Sequence, residues 1–297
     1  MYKNSKPIIL NCFSRGGSNI LWNMFLSHPS VCSPVQETLQ IFSINLRSPR
    51  FEGLRTVLLS KQLHIFNQWY FEERKLVSDD VKKYIDNTLY NWKLNTINDG
   101  EMKFKYEYQK YNIEEIQNAR LVIKNNNGLI YLSKIFFEMY PDSTFIALVR
   151  HPFALYESHK RRKTKVSKSP ELFCDYYNNI VKKMIVDAGN FPNYHLIRFE
   201  DLVSDPIKSI KLLYKYSNLN FKEIKKVRFK AKPFTHQDGS YGTNYKVGQH
   251  YWINMNEIEK MIDSKVNSSQ IAMISKIEKR KIFLLLKKTM EQFNYID

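Results

Sequence analysis

Cysteine, glycine and acidic residues are all scarce in this chain. Three cysteines, Cys12, Cys32 and Cys174, occur in 297 residues. An odd count with no C-x-x-C spacing argues against a disulfide framework or a zinc site and suits a reducing compartment. No apolar run approaches the roughly 18 residues of a membrane span. The start, MYKNSKPIILNCF, lacks the long apolar core and small-residue cleavage site of a secretory leader. A soluble, cytoplasmic protein is the expectation. Repeats and low-complexity tracts are missing too. Acidic residues number 29 against 46 Lys and Arg, a net charge of +17. Such an excess concentrates anions: nucleic acid, a membrane surface, a nucleotide, or a sulfated or acidic acceptor. Much of it is also ordinary solvated lysine on helix faces.

Hydrophobic residues make up 43% and aromatics 14%, enough for a sizeable core. PIILNC (7–12), LVIK (121–124), FIALVR (145–150) and YHLIRFED (194–201) read as buried strands. Helical periodicity follows Gly17, with Ile20, Leu21, Met24 and Phe25 on one face until His28-Pro29. Further helices are expected over 128–141, from Pro152, over 171–189, and from Asp205-Pro206 to about Ser217; two lysine-rich amphipathic helices are expected over 256–294. Residues 40–116 read as a mostly helical insertion. Strands alternating with helices predict an α/β fold, a parallel sheet with helices on both faces. Ligands of such sheets bind beyond the carboxyl ends of the strands, where Arg15 and Arg150 stand.

The glycines matter most at FSRGGSNIL (13–21), where an apolar run ends in Arg15-Gly16-Gly17-Ser18-Asn19. A strand-to-helix turn aims backbone N–H groups outward and forms an anion site. Gly16 and Gly17 permit close approach, Arg15 adds a guanidinium fork, and Ser18 and Asn19 add side-chain donors. No lysine follows in the Walker A position. In FIALVRHPFALYESHKRR, Arg150 ends a strand, with Ser158 and Arg162 eight and twelve residues on. A helix from Pro152 puts Ser158 and Arg162 on one face, so one anion can contact all three. Lys160 and Lys163 read as solvated basic residues. His28, His151 and His159 read as structural or surface residues.

These stretches resemble the sulfotransferases that use 3′-phosphoadenosine 5′-phosphosulfate (PAPS), in a Golgi-type or tyrosylprotein-like branch. The likeness covers 7–30, 119–163, 194–219 and, more loosely, 242–262, and IRFEDLVSDP is similar to the family's YEDL…P element. It implies a P-loop-NTPase-like central parallel sheet flanked by helices in a single domain over 1–297, with the helical insertion and a helical C-terminus. It also implies that Arg15 to Asn19 receive the 5′-phosphosulfate and that Arg150, Ser158 and Arg162 receive the 3′-phosphate. Gly16 and Asn19 stand where the family usually has Ser or Thr. Lys124 matches the family's lysine after the strand, so Lys124 and Arg15 are candidates to stabilise the leaving phosphate. The cytosolic branch has a histidine where Asn126 stands here. Glu37 takes the place of the glutamate base of the other branch, one residue later than a gap-free match. GTNYKVGQHYW (242–252) resembles the segment that covers the nucleotide, with Lys246, Val247 and Gly248 as contacts.

The implied reaction moves a sulfuryl group from PAPS to a hydroxyl or amine, releasing 3′-phosphoadenosine 5′-phosphate (PAP), with no metal required. Two other readings stay open on the residues: a P-loop-like kinase of a small metabolite, and a non-catalytic nucleic-acid-binding protein. No nucleic acid is expected as partner under the leading reading. The acceptor is open; a glycan is one candidate among hydroxyl compounds.

Overall fold

A computed structural model describes residues 2–35, 37–42, 78–98, 104–106, 109–230, 234–235, 241–242, 246 and 248–296. In chain order the architecture runs β1 (Ile8–Cys12), α1 (Ser18–Leu26), β2 (Val31–Cys32), α2 (Asp79–Leu94), β3 (Arg120–Asn126) and α3 (Ser133–Met139). It continues through β4 (Thr144–Val149), α4 (Pro152–Arg161), α5 (Pro170–Asn190), β5 (Tyr194–Arg198), α6 (Phe199–Ser204) and α7 (Pro206–Tyr216). The last elements are β6 (Lys226–Lys230), β7 (His250–Asn254), α8 (Val266–Ala272) and α9 (Lys276–Gln292).

Five parallel strands form the central sheet in the order β2-β3-β1-β4-β5. Side chains alternate across each strand. Ile8, Leu10 and Cys12 of β1 therefore pack with Leu21, Met24 and Phe25 of α1 and with Phe199, Leu202 and Leu213 of α6 and α7. Ile9 and Phe13 face the other way, onto Phe136 of α3, Leu155 of α4, Phe173 and Ile180 of α5, and Leu286 of α9. Both faces are covered, which is why the strands read as continuous apolar runs. The polar exception in β1 is Asn11, fully buried, whose Nδ2 donates to Ser133 Oγ at 2.9 Å and Tyr194 OH at 3.0 Å. The three thiols are buried and free, and burial pushes Cys12 and Cys174 up to about 12.

The strand order places the site. The chain leaves β1 toward β2 on one side of the sheet and leaves β4 toward β5 on the other. The crevice between the carboxyl ends of β1 and β4 is thus the topological switch point. Cys12 pairs in register with Leu148, so the residues after Cys12 and after Val149 converge. Arg15 and Arg150 are brought together by topology.

Three expectations change in detail. The 128–141 helix divides into a 3-10 stretch, Asn127–Leu132, which opens with Asn127 at φ 57°, and α3. The 194–201 strand ends at Arg198, and FEDLVS forms α6. The C-terminal region holds a short helix (Ile258–Met261) as well as α8 and α9. Of the 40–116 insertion, the described parts include α2, a helix at Ile113–Asn118 and two short paired strands; residues 43–77 lie outside the described residues. Among the described residues no helix is long and apolar enough to cross a membrane.

Candidate active site

The turn after β1 is held from three directions. Asn127 accepts from the Ser14 N–H through Oδ1 at 2.8 Å and donates to Ser14 Oγ through Nδ2 at 2.8 Å. His159 lies 3.0 Å from the Ser14 carbonyl through Nε2 and 2.9 Å from Thr164 Oγ1 through Nδ1. Burial first, and the Arg15 and Arg150 charges beside it, hold His159 down at about 4. Its ring is neutral at pH 7, so Nε2–H donates to Ser14 and Nδ1 accepts from Thr164. The Gly16 N–H closes the turn on Phe13 O at 3.0 Å, and a Cβ at Gly16 would lie 2.9 Å from Phe13 Cβ. Gly17 caps α1 at φ 98°, and a Cβ there would come within 3.0 Å of two ring carbons of Phe199. Arg15 itself sits at φ 67°. Among the described residues nothing accepts a hydrogen bond from the N–H of Gly17, Ser18 or Asn19. Three unclaimed donors at the positive end of a helix fit a phosphate or sulfate oxygen set.

One cavity of about 270 Å³ connects this turn to Arg150. Its described lining includes Arg15, Gly17, Ser18 and Asn19, then Arg150 and Ser158, then an apolar wall that includes Phe199, Val203, Val227, Ile253 and Ile258. Arg150 Nη1 donates to Arg15 O at 2.7 Å, and Arg15 Nε donates to Ser158 Oγ at 3.4 Å. Burial lowers Arg15 first, and the neighbouring Arg162 and Arg161 charges lower it further. Four arginines of the described lining, Arg15, Arg150, Arg161 and Arg228, make the region strongly attractive to anions.

Arg150 is held largely by groups of the protein itself. Its Nε and Nη2 donate to Asn267 Oδ1 at 2.9 and 2.7 Å, and Nη2 also donates to Gln270 Oε1 at 2.7 Å. With the bond to Arg15 O, most of its donors are already engaged, and what faces the cavity is mainly its charge. Its plane lies over Phe199, 4.4 Å from the ring centre.

On the other side of the α1 tip, Lys124 Nζ meets Glu37 Oε1 at 2.7 Å and Asn19 Oδ1 at 3.2 Å, over the Trp22 ring at 4.2 Å. The lysine side chain is 4% exposed and the glutamate 47%. Period-two alternation puts Lys124 and Asn126 on the same face of β3. Among the described residues, the buried Asn126 Oδ1 and Trp22 Nε1 atoms have no partner. Asn19 is the link between the two halves, lining the cavity with its residue and holding Lys124 with its amide.

Other expected contacts are not in the described cavity lining. Helix α4 ends at Arg161; Arg162 is its exposed C-cap and is not in the described cavity lining, where Arg161 appears instead. The helix ends one residue too early for Ser158 and Arg162 to form an i,i+4 pair within it. Lys246 is exposed with its N–H on Tyr251 OH at 3.0 Å, and Gly248, at φ 88°, has open space around it. Neither lines the cavity, and Val247 lies outside the described residues. Sequence reasoning missed Arg161, Asn267 and Gln270; nothing local marks the two amides, which lie in an unremarkable helix, VNSSQIA. Among the described residues, no three His, Cys, Asp or Glu side chains converge.

The chain is similar at 18% identity to the sulfotransferase domain from the curacin biosynthetic pathway, with a TM-score of 0.52, covering 96% of this chain and 97% of that one. The sulfotransferase domain of the olefin synthase of Synechococcus PCC 7002 matches at 18% identity with a TM-score of 0.51, covering 97% and 96%. These likenesses show the fold. No curated protein matches the sequence. A model of the sulfotransferase family matches residues 7–223, most of the chain and both arginine-bearing strand tips. Of the readings open on the residues, sulfuryl transfer is the one this supports, and the chain belongs to the sulfotransferase family.

Proposed function

We propose that the protein moves a sulfuryl group from PAPS to a hydroxyl or amine of an acceptor and releases PAP. The reading rests on one observation: Arg15 and Arg150, 135 residues apart, open on a single cavity beside the unclaimed N–H groups of Gly17 to Asn19. The unclaimed donors fit one anionic end of the nucleotide. The charge of Arg150, with Ser158 beside it, fits the other, and the apolar wall suits a purine. PAPS, when bound, supplies a sulfuryl group on a phosphate leaving group.

Arg15 and Lys124 favour negative charge as it develops on the leaving oxygen. Glu37 takes the proton of the acceptor. The 2.7 Å contact with Lys124 holds this carboxylate beside the α1 tip, so the base and the anion cradle share Asn19 as their common border. Asn126 cannot accept a proton at neutral pH, and Glu37 takes the place of the glutamate base in the branch that the chain resembles. The buried, unpartnered Trp22 Nε1 and Asn126 Oδ1 are polar atoms an acceptor can satisfy. A glycan carrying acidic groups suits the net charge of +17. No metal is needed in this scheme.

Thermal denaturation tests the donor. PAP should raise the melting temperature in a saturable way and ATP much less. Equal stabilisation by the two would refute the assignment.

A further inference from the structure

Arg150 is a buried cation held by neutral oxygens. It is 4% exposed, and its four hydrogen bonds end on Asn267 Oδ1, Gln270 Oε1 and the Arg15 carbonyl. A carboxylate would be the stronger partner for a guanidinium, through a bidentate pair. One is close: Glu200 acts electrostatically on Arg150, as does Glu157, which pairs with Arg161 at 3.5 Å. Yet Glu200 is turned to other donors. Its Oε1 accepts from the His151 N–H at 3.0 Å and from Asn267 Nδ2, and its Oε2 accepts from Tyr295 OH at 2.9 Å. Asn267 therefore stands between the two charges, with its carbonyl on Arg150 and its amide N–H on Glu200.

We propose that Asn267 is a positioning residue for the donor nucleotide: a neutral wedge that separates Arg150 from Glu200 and leaves the guanidinium charge for a phosphate of the ligand. The proposal rests on the donor assignment made above. Its physical basis is preorganisation. Neutral oxygens meet the hydrogen-bonding demand of the buried guanidinium and fix its plane over Phe199 without cancelling its charge. A buried cation whose hydrogen bonds all end on neutral oxygens, with its nearest carboxylates turned to other donors, is unfavourable by itself, and an arriving phosphate relieves that. Were the network selected for stability alone, the carboxylate at position 267 and the amide at position 200 would pair the buried cation more directly. Tyr295 and the His151 N–H complete the arrangement by holding Glu200 on the far side of the amide.

A charge exchange tests this. The double variant Glu200→Gln/Asn267→Asp keeps the net charge and the number of hydrogen-bonding groups and moves the carboxylate into contact with Arg150. Calorimetric titration with PAP should show affinity weakened about tenfold or more, with the unliganded melting temperature equal to or above that of the wild type. The KM for PAPS should rise in step while kcat at saturating PAPS stays within about twofold. A purely structural role for Asn267 predicts the reverse: lower stability and unchanged affinity. Glu200→Gln alone provides a second check that does not depend on the exchange folding. Its remaining oxygen can accept from the His151 N–H and Asn267 Nδ2, and its amide nitrogen can donate to a turned Tyr295 hydroxyl, so it should bind PAP as tightly as the wild type or more so. Unchanged PAP affinity in the exchange variant, or weaker binding in Glu200→Gln, would overturn the proposal while the donor assignment stands. Wild-type protein that fails to bind PAP would overturn both.

Discussion

Gly17→Ala should disable the protein through a single methyl group. Gly17 sits at φ 98°, a region where a Cβ is strained by roughly 1–2 kcal/mol. The new methyl would also fall within 3.0 Å of two Phe199 ring carbons. That ring is 2% exposed and has the Arg150 guanidinium 4.4 Å from its centre, so it cannot retreat without moving Arg150. Overpacking of this kind costs about 1–3 kcal/mol. The sum, roughly 2–5 kcal/mol, corresponds to a melting temperature lowered by about 4–10 °C in a chain of this size. Urea and thermal denaturation measure it. Phe199→Leu removes the struck Cε2 and leaves a smaller branched side chain in place of the planar ring, so the double variant should be less destabilised than the sum of the singles by about 1–2 kcal/mol. A Gly17→Ala protein within about 0.5 kcal/mol of the wild type, or strict additivity with Phe199→Leu, would refute this account of the turn.

Three further outcomes are expected. Glu37→Gln should bind PAP normally and lose transfer by about a hundredfold or more; an active variant would remove Glu37 as the base. Lys124→Met should lower kcat by a similar factor while changing PAP affinity little, measured by steady-state kinetics beside calorimetry. Stability should fall on acidification. His159 is held at about 4 when folded, below its ordinary 6.5, so its contribution is complete above about pH 6.5 and is lost as pH falls toward 4. Between pH 7 and 5 the loss from this group is about 2 kcal/mol, read by urea denaturation, and His159→Gln should flatten that slope.

The strand tips were legible because PIILNC and FIALVR are buried on both faces and need no alternation to be seen. Their convergence was legible only as a rule about parallel sheets; the register of Cys12 with Leu148 makes it a fact of this chain. Gly17 was recognised as permissive backbone, but its second constraint, the Phe199 ring, lies 182 positions away and belongs to α6, which the sequence pattern reads as strand. Arg162 was singled out by its i,i+4 spacing from Ser158, and periodicity does not say that the helix stops at Arg161. The partners of Arg150 were invisible for a related reason. Asn267 and Gln270 are 117 and 120 residues away, on a helix whose polar face looks like any solvated one. Glu37 and Lys124 came from resemblance, and their 2.7 Å contact gives that pairing a geometry no spacing could supply.

The most direct measurement is calorimetric titration of PAP into wild type, Arg15→Ala and Arg150→Gln. If both guanidinium groups serve one nucleotide, the wild type binds a single equivalent and each substitution weakens that same site by at least about tenfold. No binding to the wild type, or one variant retaining full affinity, would contradict the account.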